Sequence, residues 1–190
     1  MSPLQKIAMG MVFVAGYAPF PGNPHPDWQQ YDGLADPIGW LLVILGMQAL
    51  CRAAIGFDGA RWAAWIAGAV SIPLWFPQIT HHLSDSGRWA LSMPQTAFGI
   101  LLCKAIAEGA MLAEPQDPYV PRRFGPLMWA FVALVVLPPI AIGGGADALD
   151  DVTVLAALAV NIAFIYYLFR IHRRTWLGGA GPLEIPPTRL

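Results

Sequence analysis

Apolar positions along this chain are grouped into six long blocks, and polar positions are concentrated in the turns between them. A helix rises about 1.5 Å per residue, so a block of about 20 residues crosses the roughly 30 Å hydrocarbon core of a bilayer. The pattern predicts an all-α integral membrane protein, a six-transmembrane-helix bundle that forms one domain over residues 1–176. The predicted spans are residues 4–20, 38–55, 62–80, 93–113, 127–142 and 152–169, and a Gly/Pro-rich tail follows at 177–190.

The composition agrees with a protein whose main partner is the lipid bilayer. Hydrophobic residues make up 56% of the chain, charged residues only 12%, and the mean hydropathy is +0.52. Such a chain lacks the polar side chains to cover a soluble surface, and nothing in it favours binding to nucleic acid. Arginine outnumbers lysine nine to two, a bias typical of GC-rich bacterial genomes, so the predicted location is the bacterial cytoplasmic membrane, crossed several times.

Charge is distributed unequally between the two sets of turns. On the side of the N terminus the turns and tails contain nine lysine and arginine residues against four carboxylates, whereas the opposite side contains one arginine against seven aspartates. Basic residues near the ends of spans are retained in the cytoplasm. Both termini are therefore predicted to be cytoplasmic, and the acidic turns are predicted to face outward.

Two helix starts carry capping signals. Asp36 followed by Pro37 predicts a second span with Asp36 as its N-cap, because an aspartate side chain accepts hydrogen bonds from free backbone N–H groups and proline suits the first helical position. Ser92 and Gln95 have the spacing of a capping box, which predicts that the fourth span begins there. Residues 81–91 are then predicted to form a polar turn.

Prolines lie near the outer end of the spans that run outward. Pro73 and Pro77 are near the end of the third span, and Pro138 and Pro139 are predicted to interrupt the fifth. Each proline removes one backbone hydrogen bond and frees the carbonyl four residues earlier, which in the case of Pro77 is that of Pro73. Kinked helices with free carbonyls are therefore predicted at the outer face.

Two charged residues, Lys104 and Glu108, lie four apart in the otherwise apolar fourth span and share one helical face. Counted from the predicted caps, Lys104 is level with Gln48, and Glu108 is level with Arg52 of the second span. A charge inside the membrane costs about 2.5 to 3.5 kcal/mol, so partners within the bundle are expected. The four residues are predicted to form an intramembrane charge network that either conducts ions or protons or only holds the helices together.

The outward side is also predicted to gather a polar cluster of His25, His81, His82 and Asp85. Imidazole and carboxylate groups suit divalent metals. However, His81 and His82 are adjacent, which is not a chelating spacing on a helix, and the sequence contains no zinc motif. No metal and no cofactor are therefore predicted, and the cluster is interpreted as an electrostatic feature.

Two Pro-Gln pairs, Pro77-Gln78 and Pro94-Gln95, are similar to the motif of PQ-loop transporters, in which such a pair marks a kinked helix in each three-helix repeat. Here both pairs flank a single turn between adjacent helices, and the second pair is also explained by the predicted helix cap. None of the family's functional residues is therefore transferred to this chain.

These features favour a non-catalytic membrane subunit, or an assembly protein of a larger membrane complex, because the spans contain few polar residues to line a hydrophilic pathway. The expected partners are other membrane subunits or further copies of the chain. The alternative is a small transporter or channel for a cation or small polar solute that uses Lys104, Glu108 and the kinked helices. A membrane-embedded enzyme is the third alternative, although the sequence contains no recognised catalytic motif.

Overall fold

The computed structural model describes residues 1–20, 30–144 and 147–181, and these residues are mostly helical. The helices are α1 (Pro3–Ala15), α2 (Asp36–Ala53), α3 (Asp58–Leu74), the single turn α4 (Pro77–Thr80), α5 (Asp85–Leu112), α6 (Tyr119–Gly144) and α7 (Asp147–Ile171). Two-residue strands β1 (Pro19–Phe20) and β2 (Tyr31–Asp32) pair antiparallel, and a 3-10 turn covers Thr175–Leu177. The predicted all-helical class is confirmed.

Four of the helices are long and apolar enough to cross a membrane: α2, α5, the segment Tyr119–Ile140 of α6 and the segment Val152–Ile171 of α7. Large apolar side chains on these helices are exposed, such as Leu155 of α7 at 66%, as expected for helices surrounded by lipid. By contrast, α1 has 13 residues and α3 has 17, which correspond to about 20 Å and 26 Å. A membrane protein is thus supported, and six crossings stay a prediction.

The six long helices form a closed ring, in which each contacts its neighbours in the order α1, α2, α3, α5, α6, α7 and back to α1. Consecutive helices run antiparallel, so the turns lie at two ends. One end, called the basic end here, contains the start of α1 and the C-terminal ends of α2, α5 and α7, with Arg52 and Arg170. The acidic end contains β1, β2 and α4, with Asp32 and Asp85.

The first helix is shorter than predicted. It ends at Ala15, and the chain then enters the β1–β2 turn, so the predicted span 4–20 is wrong at its outer end. Asp32 stabilises this turn, because its Oδ1 accepts hydrogen bonds from the backbone N–H groups of Ala18 at 2.9 Å and Leu34 at 2.8 Å. The apolar residues after α1 therefore belong to a turn in which Tyr17 and Phe20 are exposed, and not to a longer helix.

Both predicted helix caps are wrong. The N-cap of α2 is Ala35, which makes no capping side-chain hydrogen bond, and Asp36 already belongs to the helix. The N-cap of α5 is Ser84, whose Oγ accepts a hydrogen bond from the N–H of Gly87 at 3.2 Å. Ser92 lies inside α5, where its hydroxyl donates to a backbone carbonyl one turn earlier. The predicted polar turn is therefore mostly helical, and the 28 residues of α5 extend over about 42 Å.

The prolines near the end of α3 end the helix rather than bend it. Pro73 lies in the last turn of α3, and Pro77 begins α4. The carbonyl of Pro73, which the sequence predicts to be free, accepts a hydrogen bond from the N–H of Phe76 at 3.2 Å. This carbonyl therefore already has a donor within the chain.

The predicted interruption of the fifth span does not occur, since α6 continues through Pro138 and Pro139 to Gly144. Pro139 lacks the N–H that would otherwise bond to the carbonyl of Val135. The indole N–H of Trp89 on α5 donates to that carbonyl at 3.2 Å instead. A neighbouring helix thus supplies the missing donor, and α6 accommodates the two prolines.

The backbones of α1 and α2 are nearly in contact. A Cβ atom added at Gly39 would lie 2.7 Å from the carbonyl oxygen of Gly10, and one added at Gly10 would lie 2.5 Å from that of Gly39. Small residues permit such close helix packing in membranes, where apolar burial by itself does not drive helices together. Together with the contact between α1 and α7, this contact buries one face of α1, formed by Leu4, Ile7, Ala8 and Met11.

The last described residues pack against the basic end of the ring. Arg174 pairs with Asp117 at 2.9 Å, and the side chain of Leu177 is fully buried. Gly178 has a φ of 73°, a left-handed conformation that ends the 3-10 turn and favours glycine. The first residues of the predicted tail therefore belong to the folded domain, and residues 182–190 lie outside the described part of the chain.

Candidate functional site

Aromatic side chains fill the centre of the ring. Trp40 of α2 contacts Phe98 of α5 edge to face with a centroid distance of 5.4 Å, and Phe164 of α7 contacts Phe131 of α6 in the same way at 5.3 Å. Phe98 and Phe164 join the two pairs at 6.4 Å. These four side chains, called the aromatic core below, are at most 3% exposed. They close the centre of the ring at their level.

A cavity of about 210 Å³ lies at the acidic end, between α2, α3, α4 and α5. Trp40 lines this acidic-end cavity and also belongs to the aromatic core, so the cavity is closed towards the basic end. Several helices contribute polar side chains to its lining, namely Asp36, Ser71, Thr80, Arg88, Ser92 and Gln95.

Two opposite charges line the acidic-end cavity without pairing with each other. Asp36 is half-buried, and its carboxylate forms no ion pair or hydrogen bond with any side chain that the structure describes. The guanidinium of Arg88 donates one long hydrogen bond, 3.4 Å, to the carbonyl of Thr80. The cavity therefore offers one anionic and one cationic group to a small polar molecule that enters from the acidic end.

Of the predicted intramembrane charge network, the described structure contains the pair of Lys104 with Glu108 but no contact of this pair with Arg52 or Gln48. Lys104 and Glu108 approach each other to 3.9 Å, but their side chains are 59% and 65% exposed on the surface of α5. Arg52 is exposed on α2, and no described ion pair joins it to Glu108. Gln48 is half-buried on α2, and no described hydrogen bond links it to the other three residues.

Lys104 and Glu108 lie in the last part of α5. This helix ends at Leu112, so Glu108 is one turn before its C-terminal end. At the same level, Gly109 lies beside Phe57, the residue at which α3 begins. The charged pair is therefore near the basic end of the ring.

Because the Lys104–Glu108 pair is exposed, replacing Glu108 with alanine is expected to change the free energy of unfolding by less than about 1 kcal/mol. Thermal unfolding of the purified protein in detergent measures this effect. Lys104→Ala is the matched control, and its free energy of unfolding should change by a similarly small amount. A large loss of stability in Glu108→Ala, recovered in the double variant, would show that the pair is buried in the membrane.

The predicted polar cluster at the outward side is partly visible. His25 lies outside the described residues. His81 and His82 contact each other edge to face at a centroid distance of 5.3 Å, and Asp85 is exposed in the first turn of α5. Within the described ranges, no three His, Cys, Asp or Glu side chains are grouped so that they could hold a metal ion.

The structure reveals polar contacts of aromatic residues that the sequence does not indicate. The indole N–H of Trp75 donates to the carbonyl of Asp32 at 2.9 Å, and the Trp75 ring contacts Tyr31 at a centroid distance of 5.6 Å. The side-chain amide of Gln78 donates to the hydroxyl of Tyr31 at 3.0 Å. One glutamine of the two Pro-Gln pairs thus joins α4 to β2, which is a structural role.

No protein-family model, no curated protein and no solved structure matches this chain. Its function is therefore inferred from the geometry and charges described above.

Proposed function

We propose that this chain is a non-catalytic subunit or assembly protein of a larger membrane complex. The observation that carries the proposal is the aromatic core, in which Trp40, Phe98, Phe131 and Phe164 occupy the centre of the ring. A transported ion or polar solute needs a hydrated or hydrogen-bonding path, and buried aromatic rings supply none. The function of the helix bundle is then to provide a packed surface that other subunits contact within the lipid bilayer.

The features that favoured a channel or transporter in the sequence have other roles. The carbonyls of Pro73 and Val135, which prolines free, accept hydrogen bonds from Phe76 and Trp89. Lys104 and Glu108 face away from the centre of the ring and lie near its basic end. These observations support the accessory role over conduction through the chain by itself.

Purification from native membranes in mild detergent tests the accessory role. We expect a partner protein, or further copies of this chain, to remain bound at a constant ratio through size exclusion, measured by mass determination of the complex. The purified chain alone, reconstituted in liposomes, should show no uptake of cations or small solutes above protein-free liposomes. A monomer without a partner that transports autonomously would contradict the proposal.

A second candidate function is the binding of a small polar solute from the acidic end. It is favoured by Asp36 and Arg88, which line one cavity without pairing with each other. A zwitterionic molecule would complement both charges, and Trp40 would prevent its passage. A panel of small zwitterions is expected to contain at least one that raises the thermal midpoint of the wild type and not that of Asp36→Asn. Equal responses of the two proteins to every compound would contradict this function.

We also propose six crossings, with both termini in the cytoplasm of a bacterial cell and the prolines of the outbound helices near the outer face. The support is the unequal charge of the two ends, since basic residues near span ends stay inside. A reporter fused after Leu190 is expected to be active only in the cytoplasm, and one inserted at Gln30 only outside. The same compartment for both reporters would contradict this topology.

A further inference from the structure

A groove separates α6 from α7 on the surface of the ring. Its volume is about 350 Å³, or about 670 Å³ when the space open to its surroundings is included. Both helices line this space with small side chains, Ala130 of α6 and Ala159 and Ala163 of α7. Most of the remaining lining is also apolar, namely Pro126, Leu127, Val160 and the ring of Tyr167.

The groove has a defined polar end. Arg122 and Arg123, in the first turns of α6, line it at the basic end of the ring. Both are exposed, and neither forms an ion pair with a carboxylate that the structure describes. The guanidinium of Arg123 lies 5.6 Å from the centroid of the Tyr119 ring, a contact that leaves its N–H groups available. Two cationic groups thus lie beside an apolar groove.

The length of the groove fits an acyl chain. From Arg122 to Ala130 it extends over eight helical steps, about 12 Å, which is most of the roughly 15 Å depth of one leaflet. An acyl chain that lies along this groove therefore has apolar side chains beside it over most of one leaflet.

We propose that this groove binds an anionic phospholipid, with one acyl chain between α6 and α7 and its phosphate at Arg122 and Arg123. Basic pockets between membrane helices recognise anionic headgroups, and each arginine near the surface strengthens the attraction. The apolar lining contacts the chain, and the paired cations select the headgroup charge. The site does not depend on whether the protein is a subunit or a solute-binding protein.

The experiment uses the full chain purified in a non-ionic detergent, with bound lipid counted by native mass spectrometry. Phosphatidylglycerol and phosphatidylcholine with identical acyl chains are added in separate titrations. We expect one phosphatidylglycerol per chain, bound at least tenfold more tightly than phosphatidylcholine, and about 30-fold weaker binding in Arg122→Gln/Arg123→Gln. Glycerol phosphate, which has the charge but no acyl chain, is expected not to displace the lipid.

Two further variants separate the groove from general surface charge. Arg52→Gln/Arg170→Gln removes two exposed arginines of the same end that do not line the groove, and it should bind within threefold of the wild type. Ala159→Trp fills the groove while both groove arginines remain, and it should weaken binding at least tenfold. Equal loss in the two arginine double variants, or unchanged binding in Ala159→Trp with an unchanged thermal midpoint, would overturn the proposal.

Discussion

Replacing Phe164 with alanine is expected to lower the free energy of unfolding by about 3 kcal/mol, at the lower end of the range for Phe→Ala in a core. Phe164 is fully buried and contacts both Phe98 and Phe131, so the variant removes two edge-to-face contacts and leaves a cavity in the centre of the ring. The expected loss is at the lower end because the aromatic side chains of an unfolded helix remain in the apolar lipid or detergent. Folding therefore gains less free energy from their burial than it would in water.

Thermal or denaturant unfolding in detergent measures the stability of Phe164→Ala. Ile162→Ala on the same helix is the matched control, because Ile162 is 57% exposed and should contribute less than about 0.5 kcal/mol. Phe164→Leu is expected to lie between the wild type and the alanine variant, since it retains part of the volume. A small effect of Phe164→Ala, similar to that of Ile162→Ala, would show that the aromatic core does not stabilise the ring.

The second large effect is expected for Gly39→Ala, which should destabilise the protein by about 1 to 3 kcal/mol although alanine is the better helix former. The added Cβ would lie 2.7 Å from the carbonyl oxygen of Gly10 and 2.8 Å from a methyl group of Val14. The first of these atoms is backbone, so relief requires α1 to move away from α2. That movement loosens the packing of Ile7 of α1 against Gly46 of α2.

Gly125→Ala is the matched control for this variant, because a Cβ atom added at Gly125 meets no atom within 4 Å. It should stabilise α6 by about 0.5 to 1 kcal/mol, the usual advantage of alanine over glycine inside a helix. The thermal midpoints of the two variants are therefore expected to move in opposite directions. If Gly39→Ala were neutral or stabilising, α1 and α2 would not be in close contact in the protein.

The charged residues of α5 show how far sequence reasoning extends. Spacing on one helical face correctly placed Lys104 beside Glu108. The level of Glu108 relative to the start of α5 was wrong, because it was counted from Ser92, which has the spacing of a cap but lies inside the helix. The alternative partner, Arg52, forms no described ion pair with Glu108. The polar residues that begin α5 do not resemble a membrane segment, so composition alone gave no reason to extend the helix to Asp85.

The hydrogen bonds of the prolines illustrate a second limit. The sequence correctly indicates that Pro139 leaves the carbonyl of Val135 without its usual donor. Whether α6 then bends, binds an ion or remains intact depends on what lies opposite, and here that is the indole of Trp89 on α5. The contact joins residues 46 positions apart, and no local pattern predicts it.

The sequence by itself determined the helical class, the membrane as the surrounding medium and the charge difference between the two ends. These properties follow from the hydrophobicity and charge of neighbouring residues, and they do not require contacts between helices. Only the tertiary structure decided the order of helices in the ring, the aromatic core, the unpaired Asp36 and Arg88 in one cavity, and the groove between α6 and α7. Each of these depends on which side chains face each other across helices, and apolar helices of similar composition do not specify their neighbours until their side chains pack.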